Sequence, residues 1–336
     1  MKIYNKIIKK EIDIDDILKK YEISLSSEKL QLIYNNEKRY YHNMEHIESM
    51  IKNMMEYNEL LIISILFHNV VFEIDKDDNE EKSYEFFDKY CNYSDKKFKE
   101  AIKKEILNSK QENISKNSID NPFFKLKYNI FFTTDFTLLL NWEKNIFKEY
   151  QKIPTYIYKE LIIDLLKKMY DIIGNENLLF MVKIIENKEY KIGFYPGSFN
   201  PFHVGHYNIL QKAEKMFDKV IIGFGKNIDK INNKKYEAPK TIANREIIEY
   251  DGLIISEINK LSKSGNIYLI RGLRNEYDLQ YEENLRNAIK DFIPEQNFVY
   301  FFCDKEYEHI SSGLIRDIMT RGDEINKEYF NKYCVF

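Results

Sequence analysis

Glycine is missing from the first half of the chain. None of the 11 glycines in the 336-residue sequence occurs before Gly174, and all of them lie in the part that starts there. Glycine is the residue that most tight turns and left-handed backbone conformations favour. Its absence therefore predicts an all-helical N-terminal domain, whereas the later glycines are typical of the turns in an α/β sheet. We place the domain boundary between residues 1–187 and 188–336.

The chain also has few cysteines, no long apolar run and only a small net charge. The three cysteines, Cys91, Cys303 and Cys334, are scattered and odd in number, which argues against a disulfide framework and favours a reducing, cytoplasmic compartment. The longest apolar run, residues 60–67, is too short to span a bilayer, and no signal-peptide pattern opens the sequence. The net charge of −3 gives no bulk argument for nucleic acid or an anionic membrane as a partner.

The strongest chemical signal is one stretch near the middle, Lys191-Ile-Gly-Phe-Tyr-Pro-Gly-Ser-Phe-Asn-Pro-Phe-His-Val-Gly-His206. Its apolar run predicts a buried strand, Pro196-Gly197-Ser198 a turn, and the residues from His203 onward an amphipathic helix. Such a strand, turn and helix N-terminus bind phosphate, because free backbone N–H groups and the helix dipole converge there. The two histidines add hydrogen-bond donors at the same place.

The remaining C-terminal part alternates strand-like and helix-like runs, which predicts a parallel, doubly wound sheet. The expected strands cover residues 219–225, 245–250, 267–270 and 298–302. Four features directly follow strands: the Ser198 turn, the basic loop 226–235, Arg271 with Arg274, and Ser311 with Ser312. Ligands bind at the carboxyl ends of the strands in such sheets, so we expect these features to converge on one site.

The central stretch resembles the GxFxPxHxGH signature of the nucleotidyltransferase superfamily, whose members transfer a nucleoside monophosphate from an NTP. Three further motifs narrow the resemblance: Arg271-Gly-Leu-Arg274, Asp278-Leu-Gln-Tyr-Glu282 and Ile310-Ser-Ser312. In this order they look like phosphopantetheine adenylyltransferase, over about residues 190–325. The resemblance implies a Rossmann-like fold and AMP transfer from ATP to 4′-phosphopantetheine, which yields dephospho-CoA and pyrophosphate with Mg²⁺ present.

The same resemblance assigns roles to single residues. The expected catalytic residues are Ser198, His206, Lys230 and Arg271. ATP is expected to contact Gly197, Ser198, His203, His206, Arg274, Glu282, Ser311 and Ser312. The acceptor is expected to contact Ser198, Lys230, Leu253 and Arg271. The acceptor phosphate is itself an anionic nucleophile, so positioning and charge stabilisation do most of the catalysis and no protein nucleophile is needed.

Two positions leave the acceptor open. Asn200 stands where pantetheine enzymes have an aspartate, and His203 is often absent from them. Both features look more like nicotinamide or nicotinate mononucleotide adenylyltransferases. A further alternative is a non-catalytic nucleotide-binding module. The presence of His206, Lys230, Arg271 and Ser312 argues against it. We expect a homo-oligomer that uses ATP and a phosphorylated small-molecule acceptor, and neither nucleic acid nor a membrane.

The N-terminal part carries a second resemblance, to an HD-type metal-dependent phosphohydrolase domain. The motifs are Arg39-Tyr-Tyr-His-Asn-Met-Glu-His46, Phe67-His-Asn69 and Asn79-Glu-Glu-Lys-Ser83, within roughly residues 20–150. The His-Asp pair of that family is His68-Asn69 here, and a neutral amide is a poorer ligand for a hard cation than a carboxylate.

Candidate metal ligands nevertheless remain in this domain. They are His46, His68 and Asp135, with His42 as a further possibility. Three ligands could hold one divalent transition metal. Two interpretations stay open: a working phosphohydrolase, which would make the protein bifunctional, and a structural or regulatory domain.

Overall fold

The computed structural model describes residues 1–110, 113–225, 238–320 and 324–335. The chain divides into two compact units. The first comprises Met1–Tyr150 and Tyr158–Asn187, and the second Gln151–Ile157 and Lys188–Phe336. The units thus divide between Asn187 and Lys188, but the short segment 151–157 belongs with the second unit, which the sequence did not predict. Within the described ranges no helix combines the length and apolar character that a membrane span needs.

Helices dominate the first part of the chain. They are α1 (Ile14–Lys20), α2 (Ser27–Tyr34), α3 (Met44–Lys52), α4 (Glu59–Phe67), α5 (Asn79–Tyr90), α6 (Lys96–Asn108), α7 (Pro122–Lys127), α8 (Phe136–Glu149), α9 (Thr155–Ile173) and α10 (Glu176–Asn187). Many begin at a polar side chain that accepts a backbone N–H, namely Asp13, Ser26, Asn43, Asn58, Asp95, Asn121 and Asp135. Helix α4 is buried from Ile62 to Phe67 and lies in the core of this unit.

The expectation of an all-helical first domain is wrong at its start. Strands β1 (Lys2–Asn5) and β2 (Lys10–Asp13) form an antiparallel hairpin. Its turn contains no glycine: Lys9 takes the left-handed conformation, with φ of 52°. The Asn5 side-chain oxygen accepts the backbone N–H groups of Ile7 and Ile8 at 2.9 and 3.0 Å. An asparagine can therefore stabilise here a turn for which glycine is the usual signal.

A five-stranded parallel sheet forms the centre of the second unit. Its strands are β3 (Lys191–Gly197), β4 (Lys219–Gly225), β5 (Ile247–Tyr250), β6 (Asn266–Leu273) and β7 (Asn297–Phe302), in the order β5-β4-β3-β6-β7. The helices are α11 (Val204–Glu214), α12 (Ile254–Leu261), α13 (Glu276–Lys290), α14 (Ser312–Thr320) and α15 (Glu324–Tyr333). Alternating strands and helices in this order form a Rossmann-like sheet, as the sequence predicts.

Strand β3 occupies the middle of the sheet and is buried on both faces, at Ile192, Phe194 and Tyr195. Gly193 allows this packing, because a Cβ there would lie 2.4 Å from Cδ1 of Ile270. Strands β4 and β6 flank β3 on opposite sides. The strand order therefore reverses between β3 and β6, and a crevice opens at the carboxyl ends of strands at such a reversal.

Candidate active site

A cavity of about 350 Å³ lies at the carboxyl ends of β3, β6 and β7. Its lining comprises Tyr195, Pro196, Gly197, Phe199, His203, Gly205, His206, Ile209, Arg271, Gly272, Leu273, Arg274, Asp278, Tyr281, Glu282, Cys303, Tyr307, Ile310, Ser311 and Ser312. These residues come from the turn after β3, the ends of β6 and β7, and helices α11, α13 and α14. The motifs that the sequence separates by more than a hundred positions thus share one site.

Most of the predicted site residues line this cavity: Gly197, His203, His206, Arg271, Arg274, Glu282, Ser311 and Ser312. Ser198 is exposed on the turn between two lining residues and is not itself part of the wall. Leu253 does not line the cavity either. It is 71% exposed, because the buried face of α12 begins further along, at Ile258. Lys230 lies outside the described residues.

The two motif histidines form a stacked pair at the start of α11. Their ring centroids lie 3.6 Å apart, and His203 is 4% exposed. The backbone N–H of His203 donates to Nδ1 of His206 at 3.3 Å. A ring nitrogen that accepts a hydrogen bond carries no proton, so the neutral His206 ring carries its proton on Nε2.

Burial keeps both rings neutral. It lowers the pKa of His203 to about 4, with a further contribution from the positive charge of Arg274. Burial also lowers the pKa of His206 well below its usual value, and His203 and Arg274 lower it further. At neutral pH, His206 is therefore an uncharged hydrogen-bond donor through Nε2.

A tight turn places these histidines. Phe199 has a φ of 41°, in the left-handed region, although it carries a bulky side chain that is only 2% exposed. Its ring covers Gly197, where a Cβ would lie 2.7 Å from two ring atoms of Phe199. The same ring contacts that of His206 at a centroid distance of 4.9 Å. The packing of this ring therefore requires glycine at position 197.

Helix α14 holds the loop before the histidines. The Ser312 hydroxyl donates to the carbonyl oxygen of Pro201 at 2.9 Å, and the Arg316 guanidinium donates to that of Asn200. Ser311 caps the helix, because its Oγ accepts the backbone N–H of Leu314 at 3.1 Å. Both serine hydroxyls are therefore engaged within the protein. The backbone N–H groups of Ser312 and Gly313, the first two residues of the helix, have no acceptor within it.

The residues after α15 hold the same loop from another direction. Cys334 forms an antiparallel bridge with His203, and the backbone N–H of Val335 donates to the carbonyl oxygen of Phe202 at 3.3 Å. Nothing in the sequence pattern indicated this contact, because a two-residue pairing at the end of a chain has no periodic signal. The histidine loop is thus fixed by segments more than a hundred residues away.

Arg271 is held by three hydrogen bonds. Its Nε and one terminal nitrogen donate to the two carboxylate oxygens of Glu282, both at 2.6 Å, and the other terminal nitrogen donates to the carbonyl oxygen of Pro196 at 3.2 Å. Burial alone would lower the pKa of Arg271, but the carboxylate raises it above its usual value. The bidentate pair fixes the plane of the guanidinium and leaves other N–H groups for a ligand.

Arg274 is oriented by Asp278, which lies four residues further along the chain, in the first turn of α13. The carboxylate accepts the backbone N–H of Arg274 at 3.0 Å and two guanidinium hydrogen bonds at 2.9 and 3.0 Å. This pairing raises the pKa of Arg274 and lowers that of Asp278. Arg274 precedes α13 and Asp278 lies in its first turn, so helical periodicity did not indicate the contact. Tyr195, Cys303 and Tyr307 were not predicted to line the site, although Cys303 directly follows a strand.

The N-terminal candidate metal ligands are not brought together. His46 and His68 lie close, with ring centroids 6.0 Å apart, and both are buried. Asp135 is instead exposed at the start of α8, where its carboxylate accepts the backbone N–H of Thr137 at 2.9 Å. Among the residues described, no group of three or more His, Cys, Asp or Glu side chains is placed to hold a metal ion. His42 is paired with the buried Glu149 at 2.7 Å.

Comparison with known proteins agrees with the geometry of the C-terminal site. Residues 194–318 match the Cytidylyltransferase-like family model. Phosphopantetheine adenylyltransferase of Mycoplasma capricolum subsp. capricolum is 37% identical over 136 residues, which is 38% of this chain and 96% of that protein. The enzymes of that name from Lachnoclostridium phytofermentans and Cytophaga hutchinsonii are 32% and 38% identical, over 41% and 38% of this chain and 87% and 89% of their own length.

Fold, site and sequence similarity together define a nucleotidyltransferase enzyme of the cytidylyltransferase-like class. The matched relatives align along most of their own length, but only with the C-terminal part of this chain. Through that part, the chain belongs to the phosphopantetheine adenylyltransferase family.

Proposed function

We propose that the chain transfers AMP from ATP to 4′-phosphopantetheine, giving dephospho-CoA and pyrophosphate. The observation that supports this most strongly is the convergence of His206, Arg271, Arg274 and Ser312 around one cavity, in a domain similar along its length to enzymes of that name. A phosphate oxygen of the acceptor attacks the α-phosphorus of ATP, and the bond to the pyrophosphate leaving group breaks. No protein nucleophile takes part.

His206 stabilises the charge that builds on the α-phosphate. Its neutral ring carries the proton on Nε2, because Nδ1 accepts the backbone N–H of His203. Because the ring is already neutral, its charge does not change with pH near neutrality. It donates a hydrogen bond through Nε2 and keeps its proton during the reaction. Preorganised donors of this kind lower a barrier by about 3–4 kcal/mol.

Arg271 and Arg274 supply positive charge to the phosphates. Each is already paired with a carboxylate, Glu282 or Asp278, so that little reorganisation is needed when ATP binds. Ser198 and Lys230 remain candidate phosphate contacts, the former beside the cavity and the latter outside the described residues.

Mg²⁺ fits this site as part of the substrate. The cavity carboxylates Asp278 and Glu282 are both engaged by arginines, and the described residues offer no cluster of metal ligands. Mg²⁺ commonly binds through substrate phosphates with most of its waters kept. We propose that it enters with ATP, and we assign no protein ligand to it.

The acceptor is tested by pyrophosphate release from ATP in the presence of 4′-phosphopantetheine, nicotinamide mononucleotide or nicotinate mononucleotide. We expect turnover with 4′-phosphopantetheine alone. The rival acceptors are included because Asn200 and His203 match the mononucleotide enzymes better. Turnover with a mononucleotide and none with 4′-phosphopantetheine would refute the proposed acceptor, and no pyrophosphate from any of the three would refute the wider adenylyltransferase proposal.

The His206→Ala variant tests the role of this histidine. We expect its turnover to fall by roughly 10² or more while ATP still binds, because one aimed donor is lost. His309, an exposed histidine, serves as the neutral comparison through His309→Gln. Turnover of His206→Ala close to that of the unmodified protein would remove this residue from the mechanism.

A further inference from the structure

The first unit contains a cavity of about 660 Å³ that the transferase reaction does not use. Its wall combines polar side chains with aromatic rings. The lining residues that matter here are Tyr41, His46, Asn69, Lys127, Phe131 and Trp142. A cavity of this volume suits a ligand of nucleotide size.

An unpartnered buried donor lies in the polar part of this wall. Asn69 is 4% exposed, and its Nδ2 has no hydrogen-bond partner among the residues described. Leaving such a donor unsatisfied costs about 1–3 kcal/mol. The main chain at this position is fixed, because the Arg39 guanidinium donates to the carbonyl oxygens of Asn69 and Val70 at 2.7 and 3.0 Å. The backbone that carries this amide is therefore held in place, and Nδ2 lacks an acceptor among the described residues.

Lys127 lines the same cavity as this donor and provides a positive charge there. Its ammonium group donates to the carbonyl oxygen of Ser109 at 2.8 Å, and in the described part of the chain no carboxylate lies within ion-pair distance of it. Burial lowers the pKa of Lys127 to about 8, against the opposing effect of the Glu80 carboxylate, which lines the same cavity. The group is thus mostly charged at neutral pH. A desolvated cation without an ion-pair partner is costly, and a bound anion would offset that cost.

The same positive charge opposes a metal ion. Lys127 lines the same cavity as His46 and Asn69, and the His46 ring lies 6.0 Å from that of His68. His68 keeps its proton on Nδ1, which donates to the carbonyl oxygen of Ile65 at 2.8 Å, and its Nε2 is unpartnered. A divalent metal does not fit this place. The lone pair of His68 Nε2 is accompanied by the neutral amide of Asn69, where a carboxylate would be needed, and by the positive charge of Lys127.

Aromatic side chains form the other part of the wall. The Trp142 side chain is 5% exposed and contacts the Phe131 ring edge-on, with centroids 4.9 Å apart. Tyr41 lies between Trp142 and His46, at centroid distances of 6.5 and 4.8 Å. Such a wall can hold a planar ring by stacking or edge contacts.

We propose that this cavity binds a phosphate monoester that carries an aromatic ring, of the size of a nucleoside monophosphate, without a metal ion. The phosphate contacts Lys127 and Asn69, and the ring lies against Trp142 and Tyr41. The unit is a receptor for the phosphate compound rather than an enzyme that cleaves it.

Trp142 is the single tryptophan of the chain and lines this cavity, whereas it is not among the lining residues of the transferase cavity, so its fluorescence is a probe of this cavity. The experiment titrates AMP into the full-length protein in the presence of EDTA, with adenosine and inorganic phosphate as separate titrations. We expect a saturable change with AMP and at least tenfold weaker binding of the other two compounds. The absence of a saturable change with AMP, or a change that requires added Mn²⁺, would overturn the proposal.

Two variants test the residues named. Lys127→Met should weaken AMP binding at least tenfold, whereas Lys125→Met, an exposed lysine on the same helix, should leave it unchanged. Asn69→Asp should also weaken metal-free AMP binding at least tenfold, because a carboxylate repels the phosphate. Thermal unfolding of each variant shows whether it is folded. Equal AMP affinity in a folded Lys127→Met or a folded Asn69→Asp variant would contradict the assignment.

Discussion

Glu282 shows how one residue acts through another. By the motif resemblance, Glu282 contacts ATP and Arg271 is a catalytic and acceptor-binding residue, and the structure joins the two in a bidentate ion pair with both distances at 2.6 Å. Glu282 is 7% exposed and is thus screened little by water. The contact holds the guanidinium in one plane, and under the proposed function it positions a positive charge for the phosphates.

Glu282→Gln should therefore lower kcat/KM for ATP by about tenfold or more, because an amide can neither balance the charge nor accept both hydrogen bonds. Steady-state kinetics measure kcat/KM, and thermal unfolding shows separately whether the variant is folded. Glu283→Gln changes the exposed neighbour on the same helix and should behave like the unmodified enzyme. Equal kinetic constants for the Glu282 variant would show that Arg271 needs no partner.

At the scale of elements, the first residue of β4 anchors a distant segment. Lys219 is almost fully buried, forms an ion pair with Glu246 at 2.5 Å and donates to the carbonyl oxygen of Ile153. Burial lowers the pKa of Lys219, and Glu246 raises it in opposition. This interaction explains why residues 151–157 belong with the second unit although the sequence places them within the first.

Removing one member of this pair should destabilise the second unit strongly. Lys219→Met leaves the Glu246 carboxylate buried and unpaired, so we expect the free energy of unfolding to fall by about 3–5 kcal/mol. Urea denaturation measures the loss. The double variant Lys219→Met with Glu246→Leu removes both charges and should recover most of the stability. A single variant as stable as the unmodified protein would rule out this anchoring role.

The elements differ in how far the sequence predicts them. The strands of the second unit are short apolar runs between turn residues, and all the predicted ones are present. The hairpin of β1 and β2 could not be predicted from glycine, because Lys9 and Asn5 make its turn. A lysine at the start of a strand is usually exposed to solvent. The neighbouring sequence therefore gave no indication that Lys219 is buried. Both failures come from contacts that only the folded chain creates.

At the scale of the whole molecule, each unit buries a pair of neutral histidines. Burial lowers the pKa of His46 to about 3 and that of His203 to about 4, and it lowers the pKa values of His68 and His206 well below the usual value of 6.5. The unfolded chain binds protons at these residues below about pH 6.5, whereas the folded chain binds them only at lower pH. Stability is therefore fully present above pH 6.5 and falls as the pH decreases towards 4.

The melting temperature should accordingly fall between pH 6.5 and pH 5. His46→Gln should make this fall less steep, because one group that the unfolded chain protonates has been removed. Differential scanning fluorimetry across this range measures the slope, with the exposed His309→Gln as the comparison. A melting temperature that stays constant from pH 6.5 to pH 5 would contradict the interpretation.

The site follows from the sequence only in part. Strand ends and motif order predicted which residues converge, since the carboxyl ends of parallel strands meet at one edge. The side-chain pairings were not predicted, that of Arg274 with Asp278 included, because they join residues of different elements. Leu253 was a wrong candidate, because apolar character alone does not show which side of a helix start is buried. In the first unit, Asp135 was a plausible ligand by type, but the chain uses it as a helix cap.

The pairing of Cys334 with His203 bears on the order in which the molecule is completed. Protein synthesis proceeds from the N-terminus, so the histidine loop leaves the ribosome roughly 130 residues before the segment that pairs with it. All the motif residues are then present while the loop still lacks part of its backbone support. A premature stop codon in α15 would leave a protein that retains the complete signature but lacks the pairing that holds its first histidine.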